Sequence, residues 1–186
     1  MLENTALIET SNYWFATLTL VGLAFVAIWI VDLLFGALWM PIWKKKMYAF
    51  FEKVALPFGF FATLFAVIGS LYYSYYLHIA ACELCWFARI FVYSQMFLFG
   101  MAWYKNDRKI FDYIMMLSFV GLIITIYHHY LQMGYDLYKP CSAIPFAADC
   151  SVPTFMQYGF VTYPLMGVVI LAITFLTAYS AKKFAK

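Results

Sequence analysis

The sequence predicts an all-α integral membrane protein, a four-helix transmembrane bundle with one additional N-terminal transmembrane helix. Of its 186 residues, 66% are hydrophobic and 11% are charged, and the mean hydropathy is +0.82. Soluble domains are only about 45–50% apolar and about 25% charged. Five apolar stretches approach the length of about 20 residues that a helix needs to cross a bilayer. The basic residues lie in short clusters between these stretches, as topology determinants do, so nucleic acid is not expected as a partner despite the net charge of +3.

The five predicted spans follow one another along the chain. They cover residues 13–35, 54–77, 86–104, 110–130 and 160–179. The first apolar stretch is too long for the hydrophobic region of a secretory signal, and no basic segment precedes it, so we expect it to remain as a helix. Two regions are therefore expected. Residues 1–53 hold an extracytoplasmic segment, the additional helix and a basic cytoplasmic loop, and residues 54–186 hold the four-helix bundle with its cysteine loops.

The basic residues predict the orientation of the spans. Ten of the twelve Lys and Arg residues form three clusters that all fall on one side of the predicted bundle. These clusters are Lys44, Lys45, Lys46 and Lys53, then Lys105, Arg108 and Lys109, then Lys182, Lys183 and Lys186. The positive-inside rule makes this side, with the C-terminus, cytoplasmic. The N-terminus, the connection that holds Cys82 and Cys85, and the loop over residues 131–159 are then extracytoplasmic.

Cys82 and Cys85 have the spacing of a dithiol that can close a small disulfide, and they lie where the third span begins. The unpaired backbone N–H groups and the dipole at a helix N-terminus favour a thiolate, the form that attacks disulfides and donates electrons. A redox role is therefore favoured over two alternatives, a structural disulfide and half of a zinc site. Zinc would need two further Cys or His ligands within reach.

Arg89 follows Cys85 by four residues, which places both side chains on one helix face with Arg89 a turn deeper. A cation within a span usually faces a partner or a polar cavity. Arg89 is therefore a candidate to stabilise the Cys85 thiolate and to hydrogen-bond a quinone oxygen. The alternatives are snorkelling to the interface and pairing with Glu83. His128 and His129 end the fourth span on the same side, and either could donate to a quinone carbonyl or be a plain interfacial histidine.

Cys141 and Cys150 form a second pair, separated by eight residues in a loop with several prolines. An exposed or strained loop disulfide tends to be oxidising and suited to exchange with a visiting protein thiol. A structural staple is the alternative for these two residues alone. Two cysteine pairs on one membrane face favour exchange, because electrons can pass from one pair to the other.

Three segments together resemble the bacterial disulfide-bond formation protein B family, in particular its Gram-positive-type members. They are Cys82-Glu83-Leu84-Cys85-Trp86-Phe87-Ala88-Arg89-Ile90, then Tyr127-His128, then Pro140-Cys141-Ser142 with Cys150. The resemblance covers roughly residues 54–179. It implies a quinone-dependent oxidase of the bacterial cytoplasmic (inner) membrane, which uses ubiquinone or menaquinone from the lipid phase. Its implied partner is a thioredoxin-like extracytoplasmic thiol oxidase of the disulfide-bond formation protein A type.

The resemblance also implies a role for each site residue. Electrons pass from the partner to the loop pair, then to the Cys82 and Cys85 pair, then to quinone. By position, Cys85 is the thiolate beside the quinone, Cys82 its disulfide partner, Arg89 and His128 quinone contacts, Cys141 the residue that engages the partner, and Cys150 the residue that resolves toward Cys82. The loop cysteines are closer together than in the proteobacterial pattern, and the first span is additional to the usual four.

Two other functions remain alternatives. A vitamin K epoxide reductase-like protein also couples thiols to quinone, but in that family the loop cysteines precede the CxxC pair, whereas here the CxxC pair comes first. A non-enzymatic membrane scaffold would use the cysteines as structural staples. Unchanged function after Cys85→Ser would favour the scaffold.

Overall fold

The computed structural model describes residues 2–35, 41–135 and 149–184, and its side chains from residues 6–35, 53–135 and 149–183. Cys141, one of the predicted site residues, lies outside the described residues. Within these ranges the chain forms five α-helices and one π-helical turn. They are α1 (Leu2–Phe35), α2 (Pro41–Leu71), the π-helical turn (Tyr72–Tyr76), α3 (Glu83–Lys105), α4 (Ile110–Gln132) and α5 (Tyr163–Phe184). The described residues contain no strand beyond an isolated bridge between Gln157 and Val161.

All five helices are long and apolar enough to cross a membrane, which confirms the predicted fold class. The candidate spans are Ala6–Phe35, Lys53–Tyr76, Glu83–Lys105, Ile110–Gln132 and Tyr163–Lys183. Two helices begin well before their predicted spans: α1 begins at Leu2, ahead of residue 13, and α2 begins at Pro41, within the stretch expected to be a basic loop. Proline is well suited to the first helical position, and lysine is a good helix former, so a charged segment can extend a helix beyond the bilayer.

Helices α2 to α5 form the bundle, and α1 packs against α5 on its outside. Gly22 permits the close approach of α1, because a Cβ atom there would lie 2.6 Å from Val169 Cγ1 on α5. Polar side chains link the helices inside the bundle. Ser118 of α4 donates to Gln95 Oε1 of α3 at 3.3 Å and lies 3.0 Å from the Thr174 hydroxyl of α5. Such hydrogen bonds between helices contribute about 0.6–2 kcal/mol each in membranes.

The outer surface of the bundle is apolar, as expected of a protein that faces lipid. Ile28, Leu34 and Phe97 each expose more than two thirds of their side chains. Large exposed apolar patches are rare on soluble monomers. The bundle thus buries polar side chains between its helices and exposes apolar side chains on its outer surface, the arrangement expected of a protein surrounded by lipid.

The connection from α2 to α3 brings the cysteine pair to the end of the bundle. The chain leaves α2 through the π-helical turn, and π-helical segments widen a helix and often occur at functional sites. His78 then adopts a left-handed conformation with φ of 53°, which ends the helical path. Cys82, in extended conformation, is the N-cap residue of α3. The pair is thus held at the junction of two spans.

Candidate functional site

Cys82 and Cys85 face each other across the first turn of α3. The Cys82 thiol donates a hydrogen bond to Cys85 Sγ at a sulfur-to-sulfur distance of 3.4 Å. Cys85 Sγ also accepts from the backbone N–H of Cys82, which is one of the groups that a helix N-terminus leaves unpaired. Cys82 is buried, whereas Cys85 is half-buried. Cys85 is therefore the acceptor of both hydrogen bonds and the sulfur at which negative charge is best accommodated.

The surroundings of Cys82 keep its proton in place. Its hydrogen bond to Cys85, followed by burial, raises the pKa of Cys82 to about 12. The dithiol is therefore asymmetric at neutral pH, with Cys82 as a protonated thiol that donates to its neighbour. Such division of roles between two sulfurs is common in CxxC pairs that exchange disulfides.

His128 lies directly against the cysteine pair. It is only 1% exposed, and its Nε2 atom is 3.5 Å from Cys82 Sγ. Gln132, one turn further along α4, places its Nε2 atom 3.3 Å from the same histidine nitrogen. Sequence reasoning expected His128 to contact a quinone. The structure also places it in contact with Cys82. Gln132 was missed by sequence reasoning, although its spacing of four residues from His128 could have indicated a shared helix face.

His129 points elsewhere. Its Nδ1 atom is 2.9 Å from the hydroxyl of Thr162, near the start of α5. The histidines that the sequence offered as a pair are therefore distinguished by the fold, and only His128 joins the candidate site.

Arg89 lies one turn below Cys85, as predicted, and its partners come from two elements. Its guanidinium donates to the hydroxyl of Ser74 in the π-helical turn. Its Cζ atom lies 4.9 Å from the centre of the Trp86 ring, within range of a cation–π interaction. The charge is therefore held beside the cysteine pair by Ser74 and Trp86. Ser74 was not predicted, because no sequence signal links it to a residue 15 positions away.

A cavity of about 370 Å³ opens beside these residues. Among its lining residues are Cys82, Cys85, Arg89, His128 and Gln132, and most of the remaining walls are apolar or aromatic. The lining also includes Tyr73 and Tyr163, whose rings pack edge to face with centres 4.7 Å apart. The hydroxyls of both tyrosines and the Oε1 atom of Gln132 are buried without a hydrogen-bond partner. Buried polar atoms usually have partners, so unpaired ones on the wall of an apolar cavity make this cavity a candidate ligand site.

The additional helix forms one wall of this cavity. Phe15, Leu18, Thr19 and Gly22 of α1 are all lining residues. The Phe15 ring packs against Tyr73 with ring centres 5.1 Å apart. Ser11 and Tyr72 are joined by a hydrogen bond between their hydroxyls at 2.9 Å. The helix is thus part of the candidate site and not merely an added anchor.

Cys150 reaches the same end of the bundle from the loop before α5. It is fully buried and forms a hydrogen bond with Cys82. The loop is ordered locally because Asp149 Oδ1 accepts from both the backbone N–H and the hydroxyl of Ser151, at 2.9 and 2.8 Å. Three of the four cysteines therefore meet at one place, while the fourth, Cys141, lies outside the described residues.

Comparison with known proteins identifies relatives over the bundle. A family model described as "Disulfide bond formation protein DsbB" matches residues 52–181. The chain is 32% identical over 120 residues to "Probable disulfide formation protein" of Coxiella burnetii, covering 63% of this chain and 80% of that protein. It is 33% identical over 125 residues to "Disulfide bond formation protein C" of Bacillus subtilis, covering 64% and 88%. No solved structure matches the chain. Helix α1 lies outside the matched residues.

Proposed function

Because this chain belongs to the disulfide bond formation protein DsbB family, whose members are disulfide-generating membrane oxidoreductases, we propose that it is a thiol:quinone oxidoreductase. It reoxidises a thioredoxin-like dithiol oxidase and passes the electrons to ubiquinone or menaquinone. The observation that carries this proposal is the cavity beside Cys85 and Arg89, with its unpaired polar atoms. The cysteine loops and the N-terminus face the outside of the bacterial cytoplasmic membrane, as the basic clusters indicate.

The residues around the cavity suit a quinone. A quinone is a flat apolar ring with two carbonyl oxygens, which need hydrogen-bond donors as they gain negative charge. Arg89 supplies a charged donor, and the hydroxyls of Tyr73 and Tyr163 supply neutral ones that the protein leaves unpaired. When bound, the quinone serves as acceptor of two electrons and two protons. The apolar wall contributed by α1 excludes water from the reacting sulfur.

The cysteines can relay electrons by thiol–disulfide exchange, which conserves atoms at each step. A partner thiolate attacks Cys141 in the loop disulfide, and Cys150 leaves as a thiolate. Once the second partner thiol has released the partner in disulfide form, Cys150 attacks Cys82 and displaces Cys85. Cys141 then resolves the bridge between Cys150 and Cys82, which restores the loop disulfide. The burial of Cys150 beside Cys82 supports this order.

His128 handles the proton of Cys82 in this scheme. Its Nε2 atom lies 3.5 Å from the sulfur of Cys82, a thiol whose pKa is raised to about 12. The Cys82 proton must leave when the Cys82 and Cys85 disulfide forms again as two electrons pass to the quinone. A buried imidazole at hydrogen-bond distance is suited to accept it.

The direct test is a quinone-reduction assay with purified protein in detergent. Given a reduced thioredoxin-like dithiol protein, the chain is expected to consume one quinone for each disulfide formed in that protein. The loss of quinone absorbance and the loss of free thiols are measured in the same sample. Thiol oxidation without quinone loss, or no reaction with either quinone, would contradict the proposed function.

Arg89→Met is expected to raise the KM for quinone in this assay by about tenfold or more. A hydrogen bond to a charged group contributes about 1.5–3 kcal/mol, and about 1.4 kcal/mol corresponds to tenfold in affinity. Exchange between the loop pair and the partner should stay nearly unchanged. Arg108→Met, in the connection between α3 and α4, is the matched control and should behave as wild type. An unchanged KM in the Arg89 variant would remove Arg89 from the quinone site.

A further inference from the structure

We propose that Cys82, Cys85 and His128 of the reduced protein form a binding site for a thiophilic divalent cation such as Zn²⁺. The three ligand atoms, two sulfurs and the imidazole Nε2, all lie within 4.8 Å of one another. From the sequence alone, only two zinc ligands could be placed together, Cys82 and Cys85 in one helix turn. The fold brings the third from α4, 46 positions along the chain.

Two of the three spacings between ligand atoms are close to those of a tetrahedral zinc site, and the third, between Cys85 Sγ and His128 Nε2, is at most 4.8 Å. Zinc binds sulfur at about 2.3 Å and nitrogen at about 2.0–2.1 Å, so that tetrahedral ligand atoms lie about 3.5–3.8 Å apart. Here Cys82 Sγ is 3.4 Å from Cys85 Sγ and 3.5 Å from His128 Nε2. Shifts of a few tenths of an ångström therefore suffice for these pairs. Water can occupy a fourth position, as in zinc sites with three protein ligands.

The ligands are positioned before any ion binds. Cys82 and His128 are 4% and 1% exposed, so their side chains are already fixed by packing. Little conformational entropy is then lost on binding, which favours affinity. Gln132 Nε2 lies 3.3 Å from the same histidine nitrogen, so this amide turns away when the ion binds there. The Oε1 atom of Gln132, buried without a partner, can then accept a hydrogen bond from a metal-bound water.

Charge balance favours the same ion. Binding displaces one proton from each thiol, and the two thiolates neutralise the two charges of the cation. The resulting complex with a neutral imidazole carries no net charge, which limits the cost of placing it in a buried site. The disulfide form offers no thiolate, so binding is restricted to the reduced protein.

An occupied site would stop turnover, because sulfurs that hold the ion cannot form a disulfide. Zinc is then a reversible inhibitor that captures the enzyme between receiving electrons and delivering them. The inhibition of turnover rests on the proposed function, whereas zinc binding itself does not. An experiment can therefore reject the zinc site and the proposed function independently of each other.

The test uses the full chain with the loop cysteines replaced, Cys141→Ser with Cys150→Ser, so that thiolate ligands come only from Cys82 and Cys85. The reduced protein is titrated with Zn²⁺ against a competing chelator and with Co²⁺ as a spectroscopic probe. We expect one ion per chain and a sulfur-to-cobalt charge-transfer band, both absent from the oxidised protein. Equal binding to the oxidised protein, or no binding, would overturn the proposal.

Two variants assign the ligands, and a neighbouring histidine provides the control. Cys85→Ser and His128→Ala should each weaken Zn²⁺ binding by at least the roughly 100-fold that loss of an outer partner alone can cause. His129→Ala should bind as the parent does, since His129 contacts Thr162. Binding that His128→Ala leaves unchanged would show that the ion does not use His128, and the proposed site would be wrong. If the protein binds zinc as expected but reduces no quinone, the zinc site is supported and the proposed function is rejected.

Discussion

Cys85→Ser is expected to abolish quinone-dependent oxidation of the partner dithiol, lowering its steady-state rate by about 10³-fold or more, since loss of a catalytic nucleophile can cost about 10⁶-fold. Cys85 is the sulfur that accepts the hydrogen bond from Cys82 and lies one turn above Arg89. It also lines the cavity. Serine retains the shape of the side chain but cannot form the disulfide that releases two electrons. Quinone absorbance in the assay above measures the loss.

The same variant should retain one partial reaction. Its loop disulfide can still oxidise one partner dithiol per chain, after which the electrons have nowhere to go. A single-turnover experiment should therefore show one equivalent of oxidised partner and no quinone consumption. Thermal unfolding of the variant provides the folding control, because Cys85 is half-buried and serine adds no volume. Undiminished quinone reduction would instead support a scaffold in which the cysteines are structural staples.

The sequence was sufficient for features that depend on neighbouring positions. Five apolar stretches predicted five spans, because the bilayer thickness sets the length of each helix. The spacing of Cys85 and Arg89 placed them on one face of α3, because a helix repeats every 3.6 residues. The family resemblance rested on the same local motifs and is confirmed by the family model.

Features that depend on packing between helices could not be predicted. The contact of His128 with Cys82 joins α4 to the start of α3. The family resemblance favoured His128 over the adjacent histidine as a quinone contact, but no sequence pattern indicated its contact with Cys82. Ser74, which accepts a hydrogen bond from Arg89, lies in the π-helical turn that follows α2, and no sequence pattern indicated that turn. The position of α1 against the cavity is likewise a result of its packing on α5, where Gly22 permits close approach. Hydropathy indicates that such a helix exists but not which face of the bundle it covers.

Cys150→Ser is expected to accumulate a covalent complex between Cys141 and the partner, whereas Cys141→Ser is not. In Cys150→Ser the Cys141 thiol can still attack the disulfide of an oxidised partner. The mixed disulfide then persists, because Cys150, the thiol that would attack Cys141 and close the loop disulfide, is missing, so the trapped complex should rise from nearly undetectable to a major species. Cys150 is fully buried and hydrogen-bonded to Cys82, so a bulky visiting protein cannot easily reach it. Its position suits exchange within the chain. We therefore propose Cys141 as the residue that meets the partner.

Non-reducing gels of intact bacterial cells that contain the partner measure this asymmetry. Performing the experiment in cells also tests the orientation, since Cys141 can capture an extracytoplasmic partner only if its loop lies outside the cytoplasm. Equal trapping by both variants, or trapping by Cys141→Ser alone, would show that the roles of the loop cysteines are wrongly assigned. If neither variant traps a thiol protein while wild type still oxidises dithiols, the loop pair is structural. Electrons would then have to enter at the Cys82 and Cys85 pair, and the burial of Cys82 would require the partner to approach through Cys85, the more exposed of the two residues.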